Sequence, residues 1–290
     1  MRYLALAILL ISAMTLGGCS EGVLDPKGPV AAAERLIMLN ATGIMLAIVI
    51  PTILATLATA FWFRASNKRA RYIPDFRYSG RLELLVWSIP IMTVILVSGV
   101  AWLSAYDLDP RKAIVSTEKP VRVQVVSLDW KWLFIYPDHG IAAVNRLTVP
   151  VGTPISIELT SSGVMNSFFV PQLGGQIYTM FGMATHLNLQ ADHVGTYRGM
   201  SANYSGAGFS DMHFNVEAVP ADRFADWVAA TRGSGSVLNA QSYAALVKPS
   251  QAVTPFTYRA VVADLFTKIM STAMQCGDPM CLAYSQRAEK

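Results

Sequence analysis

Two stretches of this chain carry no charge over more residues than a bilayer is thick. No Asp, Glu, Lys or Arg lies between Arg35 and Arg64, and none lies between Glu83 and Asp107. A helix needs about 20 apolar residues to cross roughly 30 Å of hydrocarbon. Lipid offers no partner for free backbone N–H and C=O groups, so a spanning segment has to satisfy them within itself. Residues 36–63 and 84–106 are therefore read as transmembrane helices, joined by a loop over 64–83. Pro51 lies inside the first and is expected to kink it. Trp62, Trp87 and Trp102 fall near the ends of the spans, where interfacial aromatic residues gather.

The loop fixes the orientation. It holds Arg64, Lys68, Arg69, Arg71, Arg77 and Arg81 against one acid, Asp75, before Glu83 opens the second span. Basic loops stay on the cytoplasmic side, so both outer ends face the periplasm. The net charge of +4 is small and concentrated in this loop, which gives no case for nucleic-acid binding.

The N-terminus agrees with export. An apolar run from Leu4 to Ile11 follows Met1-Arg-Tyr and is too short to span a membrane. Leu16-Gly-Gly-Cys19 then places small residues directly before a cysteine. This is the pattern of a bacterial lipoprotein signal: residues 1–18 are removed and Cys19 carries lipid, leaving 19–35 as a periplasmic segment. Acyl chains contribute about 0.8 kcal/mol per buried methylene. The alternative is an ordinary signal with a chance cysteine. The other cysteines, Cys276 and Cys281, are read either as a disulfide in an exported domain or as two free thiols in a loose tail.

From Pro120 the apolar period becomes two. Val121, Val123 and Val125 alternate with polar residues, as do Ile155, Ile157 and Leu159, and Phe214, Val216 and Ala218. Short strands separated by Gly and Pro predict an antiparallel sandwich or barrel. Helical spacing returns over 221–231 with Phe224, Trp227 and Val228 on one face. A second helix is expected from Ala240, a loop over 249–255, and a third helix from Tyr258 to Met274. His139, His186, His193 and His213 show no metal-ligand spacing and are read as ordinary histidines.

The chemically informative stretch is Gly199–Met212. With Cys at 201 and 205 and His at 209 it would read C-x3-C-x3-H-x2-M, the ligand loop of the dinuclear copper centre in subunit II of cytochrome c oxidases. Here Ser201 and Ser205 replace the thiolates and Phe209 replaces the imidazole, while Met212 remains. Asn166, in Asn166-Ser-Phe-Phe-Val-Pro171, stands where that family has its other histidine, and Asn203 is the remaining degenerate position. Copper prefers thiolate, imidazole and thioether to neutral hydroxyl.

On these residues the chain resembles subunit II of the bo-type ubiquinol oxidases, which keep the fold and lack the copper. The resemblance implies a membrane α + β protein. Its parts are a two-helix transmembrane hairpin, a periplasmic cupredoxin-like β-barrel over 107–220 and a helical C-terminal arm over 221–290 carrying Trp227, Tyr243, Pro249-Ser250 and Leu265-Phe266. It implies a complex that oxidises ubiquinol, reduces oxygen to water and pumps protons. The haems, the active-site copper and the quinol site would lie in subunit I. This chain would be a non-catalytic subunit with no cofactor of its own, partnered by subunit I, the other subunits and lipid of the bacterial inner membrane.

Trp130 and Trp132 match a Trp-x-Trp run on the electron path of cytochrome c oxidases. With no copper behind them they are expected to pack against the large subunit instead. Glu83, in Glu83-Leu-Leu-Val-Trp87-Ser-Ile-Pro90, matches a glutamate at the mouth of the proton path called the K channel. A first-turn acid favoured by the helix dipole explains the same residue, and both readings stand at this point. Two rival functions are a copper-bearing cytochrome c oxidase subunit and a stand-alone periplasmic lipoprotein that binds a ligand. Missing thiolates argue against the first, and two spans argue against the second.

Overall fold

The structure is a computed structural model that describes residues 22–71 and 73–274. The signal segment with Cys19, and both Cys276 and Cys281, lie outside the described residues. The chain forms two compact units: Ala33–Asp109, and the residues before and after it.

The first unit holds the two long helices, α1 (Pro29–Trp62) and α2 (Gly80–Asp107). At 1.5 Å per residue they run about 51 Å and 42 Å, both longer than the hydrocarbon core. Their apolar windows have mean hydropathies of 2.3 and 2.2 and bury nothing within the chain. α1 starts seven positions before the expected span, because Glu34 and Arg35 end the apolar run without ending the helix. Pro29 opens it, at the position where a missing N–H costs nothing. Both helices continue through their prolines, Pro51 and Pro90. Their hydroxyls are satisfied locally: Thr42, Thr52, Thr56, Thr93 and Ser104 each donate to the carbonyl four residues back.

The second unit is a β-sandwich. Its seven-stranded sheet has the order β11-β12-β3-β2-β1-β5-β8. These are Ser236–Leu238, Phe256–Val261, Ile141–Val144, Lys131–Tyr136, Val121–Leu128, Ile155–Ser161 and Thr185–Leu189. The five-stranded sheet has the order β4-β10-β9-β6-β7, made of Arg146–Pro150, His213–Val219, Gly195–Ser201, Asn166–Phe169 and Ile177–Thr179. The sheets are mixed and not purely antiparallel: β1 runs parallel to β5, β4 to β10 and β11 to β12. Each of these pairs is joined by a long connection, as parallel pairing requires.

The alternation read from the sequence sets the core between the sheets. Val123, Val125, Trp132, Phe134, Tyr136, Ile157, Phe168, Phe214 and Val216 fill it. Trp132 packs edge-on to Phe168 and Phe214, whose rings stack on each other at 4.9 Å. Trp132 is completely buried, so it does not pack against another subunit; that expectation is corrected.

The opposite face of β1 and β2 is equally apolar, with Val126, Leu128, Leu133 and Ile135. The C-terminal arm covers it. Leu238, Leu246, Tyr258, Leu265, Phe266 and Ile269 complete this second core. The arm contains α3 (Ala221–Gly233), α4 (Ala240–Leu246) and α5 (Leu265–Met274). The helix expected from Tyr258 begins only at Leu265. Residues 256–261 are instead β12, which pairs antiparallel with the edge of β3 and alternates buried Tyr258 with exposed Arg259. A free sheet edge decides this segment, and not its local apolar spacing.

A short N-terminal strap also belongs to the sandwich unit. Lys27 N–H donates to Gln172 O at 2.7 Å, Ala31 N–H to Leu173 O at 3.3 Å, and Asp192 N–H to Lys27 O at 2.7 Å. Gly28 permits this contact, since a Cβ there would lie 2.0 Å from Gln190 O.

Candidate functional site: a hydrogen-bonded network at the degenerate metal positions

Asn166 begins β6 and Ser201 ends β9, and these two strands are neighbours in the five-stranded sheet. The chain then leaves β9, makes a 3₁₀ turn at Phe209–Asp211 and re-enters the sheet as β10. Antiparallel pairing of β9 with β10 brings Met212 back beside Ser201, whose N–H donates to Met212 O at 3.1 Å. Residues far apart in sequence thus meet at one end of the sandwich.

Their side chains bond to each other. Ser201 Oγ–H donates to Asn166 Oδ1 at 3.1 Å and lies 3.2 Å from Asn203 O; its single proton serves one acceptor at a time. Asn166 Nδ2 donates to Val164 O at 3.1 Å, and Asn203 Nδ2 to Met165 O at 3.2 Å. Ser205 Oγ–H points to Met212 Sδ at 3.8 Å. Asn166, Ser201 and Met212 are buried. Phe209 packs its ring on Tyr204 at 5.6 Å. Five of the six degenerate positions therefore join one network, and the sixth stays with the loop.

Trp130 forms the floor of the loop. Its φ of 63° places it in the left-handed region at the tight β1–β2 turn. Its indole N–H donates to Ser205 O at 3.0 Å. The loop backbone lies directly on the ring, and a Cβ at Gly208 would come within 2.4 Å of it. The sequence alone puts Trp130 on an inter-subunit surface, whereas its indole is engaged by the chain's own loop. Gly206 and Gly208 were the signal for it, marking backbone that approaches something flat.

The donor set comprises two hydroxyls, a carboxamide oxygen and one thioether. It contains no thiolate and no imidazole, and its carboxamide oxygen, Asn166 Oδ1, already accepts the Ser201 hydroxyl proton. These residues do not fit a dinuclear copper centre. His213 directly follows Met212, but strand alternation turns it outward, and it is exposed.

Other charged groups lie elsewhere. Lys131 is 1% exposed, and its Nζ donates to Lys248 O at 2.8 Å and Ser250 Oγ at 2.6 Å. Burial lowers its pKa, against the opposing pull of Asp129. Asp138, in the β2–β3 turn, is held below the usual carboxylate range by the hydrogen bond from Arg122. In the helical unit, Glu83 occupies the first turn of α2, and Trp87 Nε1–H donates to its Oε2 at 3.0 Å.

Comparison with known proteins gives a consistent set of likenesses. The family described as "Cytochrome C oxidase subunit II, periplasmic domain" matches residues 94–219, and the "COX Aromatic Rich Motif" matches residues 232–277. The cytochrome bo(3) ubiquinol oxidase subunit 2 of Pseudomonas aeruginosa is 44% identical over 288 residues, covering 99% of this chain and 86% of that one. The protein of the same description from Pseudomonas putida is 46% identical over 257 residues, 89% of this chain and 82% of that one. The ubiquinol oxidase subunit 2 of Acetobacter aceti is 46% identical over 265 residues, 90% of this chain and 86% of that one.

Proposed function

Since the chain belongs to the subunit 2 family of the bo(3)-type ubiquinol oxidases, we propose that it supports and assembles a respiratory complex without carrying electrons itself. The complex transfers electrons from ubiquinol to oxygen, forming ubiquinone and water, and pumps protons as it does so. The haems, the active-site copper and the quinol site belong to subunit I, the partner this chain holds. The carrying observation is the Ser201–Asn166 hydrogen bond with its neighbours, which occupies the place of a copper ligand set with a closed polar network. The relatives speak for this reading over a copper-bearing subunit, and their match along nearly the whole chain speaks against a stand-alone lipoprotein.

The chain is an inner-membrane subunit with two helices able to span the bilayer and a periplasmic oxidase-type domain. In this reading the basic loop from Arg64 is cytoplasmic, residues 1–18 are cleaved, and Cys19 carries a lipid. Glu83 then opens α2 on the side from which protons are drawn, and we assign it as their entry point. Its carboxylate exchanges a proton with bulk water and passes it inward.

Metal analysis of the purified complex tests the central claim. The expected result is copper equal to that of subunit I alone, and no purple mixed-valence spectrum after copper is added. Two further copper ions per complex would overturn it. Mass spectrometry of the intact subunit tests the lipid: a diacylglyceryl-modified Cys19 is expected, and retention of Met1–Gly18 refutes the processing.

A further inference from the structure

The first two turns of α2 contain a pair that the proton-entry reading does not itself require. Glu83 and Trp87 are four residues apart, so they lie one above the other on the same helix face. The indole Nε1–H is a donor with no acceptor function, and it is aimed at Glu83 Oε2 at 3.0 Å. A tryptophan at a membrane interface ordinarily spends this N–H on water or a lipid headgroup. Here it is committed to a carboxylate. Among the described residues no second hydrogen bond engages that carboxylate, so one oxygen is held and the other is left to exchange.

A glutamate side chain has three rotatable bonds and sweeps a wide arc when nothing holds it. A first-turn acid serving only the helix dipole needs no such restraint, since the dipole field falls off smoothly over the whole turn. A proton-collecting carboxylate does need one, because transfer requires hydrogen-bond reach of the next carrier. The indole supplies that restraint, and its two-torsion side chain gives up little freedom in doing so.

We propose that Trp87 is a positioning residue for proton uptake: its indole N–H fixes Glu83 Oε2 and thereby directs Oε1 toward the proton path. This inference rests on Glu83 being the entry point, and the test separates the two. The variants Glu83→Ala, Trp87→Phe and their combination are compared in the complete oxidase by quinol-driven oxygen consumption per haem, which reads only assembled complex. Trp87→Phe is expected to lower turnover severalfold with an unchanged KM for ubiquinol. In the Glu83→Ala background the same substitution is expected to have no further effect. Full turnover in Trp87→Phe with low turnover in Glu83→Ala overturns the role of Trp87 and leaves Glu83 standing. Equal losses from Trp87→Phe in both backgrounds also overturn it, since Trp87 would then act through packing. Full turnover in Glu83→Ala removes the entry point and the inference with it.

Discussion

Lys131 Nζ donates to the backbone carbonyl of Lys248 at 2.8 Å, joining β2 to a turn 117 residues later in the chain. Ser250 Oγ receives a second bond from the same ammonium, and Asn145 Nδ2 donates to Val253 O at 2.8 Å nearby. The C-terminal arm is thus pinned by two buried polar side chains as well as by its apolar face. Lys131→Met keeps the volume and removes the donors to Lys248 O and Ser250 Oγ. The expected cost is about 1–3 kcal/mol. Hydrogen exchange should show earlier opening of residues 248–253 in this variant; unchanged protection there would show that the apolar contacts alone hold the arm.

The pH dependence of this pin has an unusual sign. Burial lowers the folded pKa of Lys131 below its ordinary value of 10.5, so the unfolded state binds this proton more tightly. Stability contributed by this site therefore rises as pH climbs from the folded pKa toward the unfolded one. A neutral amine still donates to both acceptors. Denaturant midpoints compared between wild type and Lys131→Met across neutral to alkaline pH should diverge in favour of the wild type as pH rises. A constant gap would mean that the ammonium is not destabilised where it sits.

Asp138 has the opposite sign. The hydrogen bond from Arg122, with its charge, lowers the folded pKa of this carboxyl below 3.8. Its contribution is complete above the unfolded pKa and is lost as pH falls through the folded one. The pair is largely exposed, so the effect is small. In Arg122→Ala the acid limb of the stability curve should flatten slightly, read from urea midpoints. An unchanged limb would place the pair among surface contacts of no consequence.

Ser201→Ala tests whether the network at the degenerate positions is structural. The substitution leaves Asn166 Oδ1 without its donor in a buried position. A loss of about 1–3 kcal/mol in domain stability is expected, with haem content and turnover per haem unchanged. Lost turnover in a fully assembled complex would show that the network takes part in the reaction.

Much of this was legible in the residues. The two spans follow from missing charge, and the paired sheets follow from period-two runs such as Val121–Val125 and Phe214–Ala218. Asn166, Ser201, Ser205 and Met212 stand out by the resemblance to a copper ligand loop, and strand pairing brings them together. Glu83 and Trp87 were even at visible helical spacing. What was hidden depends on tertiary contact. Tyr258 belongs to a strand only because β3 offers an open edge. Trp132 belongs to the core only because Phe168 and Phe214 close over it. Lys131, between two tryptophans, shows nothing in sequence of its buried acceptors on the arm.

The pairing of β3 with β12 has a consequence for how the chain matures. Val144 waits for Phe256, so β3 keeps an unsatisfied edge while all the intervening chain is being made and exported. Such an edge is a template for foreign strands, and contacts so distant in sequence form late. A chain cut short before residue 256 would already contain the whole five-stranded sheet, yet it would present an open edge and an apolar face lacking Tyr258, Leu265, Phe266 and Ile269. The last strand therefore works as a seal, closing the β3 edge and completing the cover of the outer apolar face in one step.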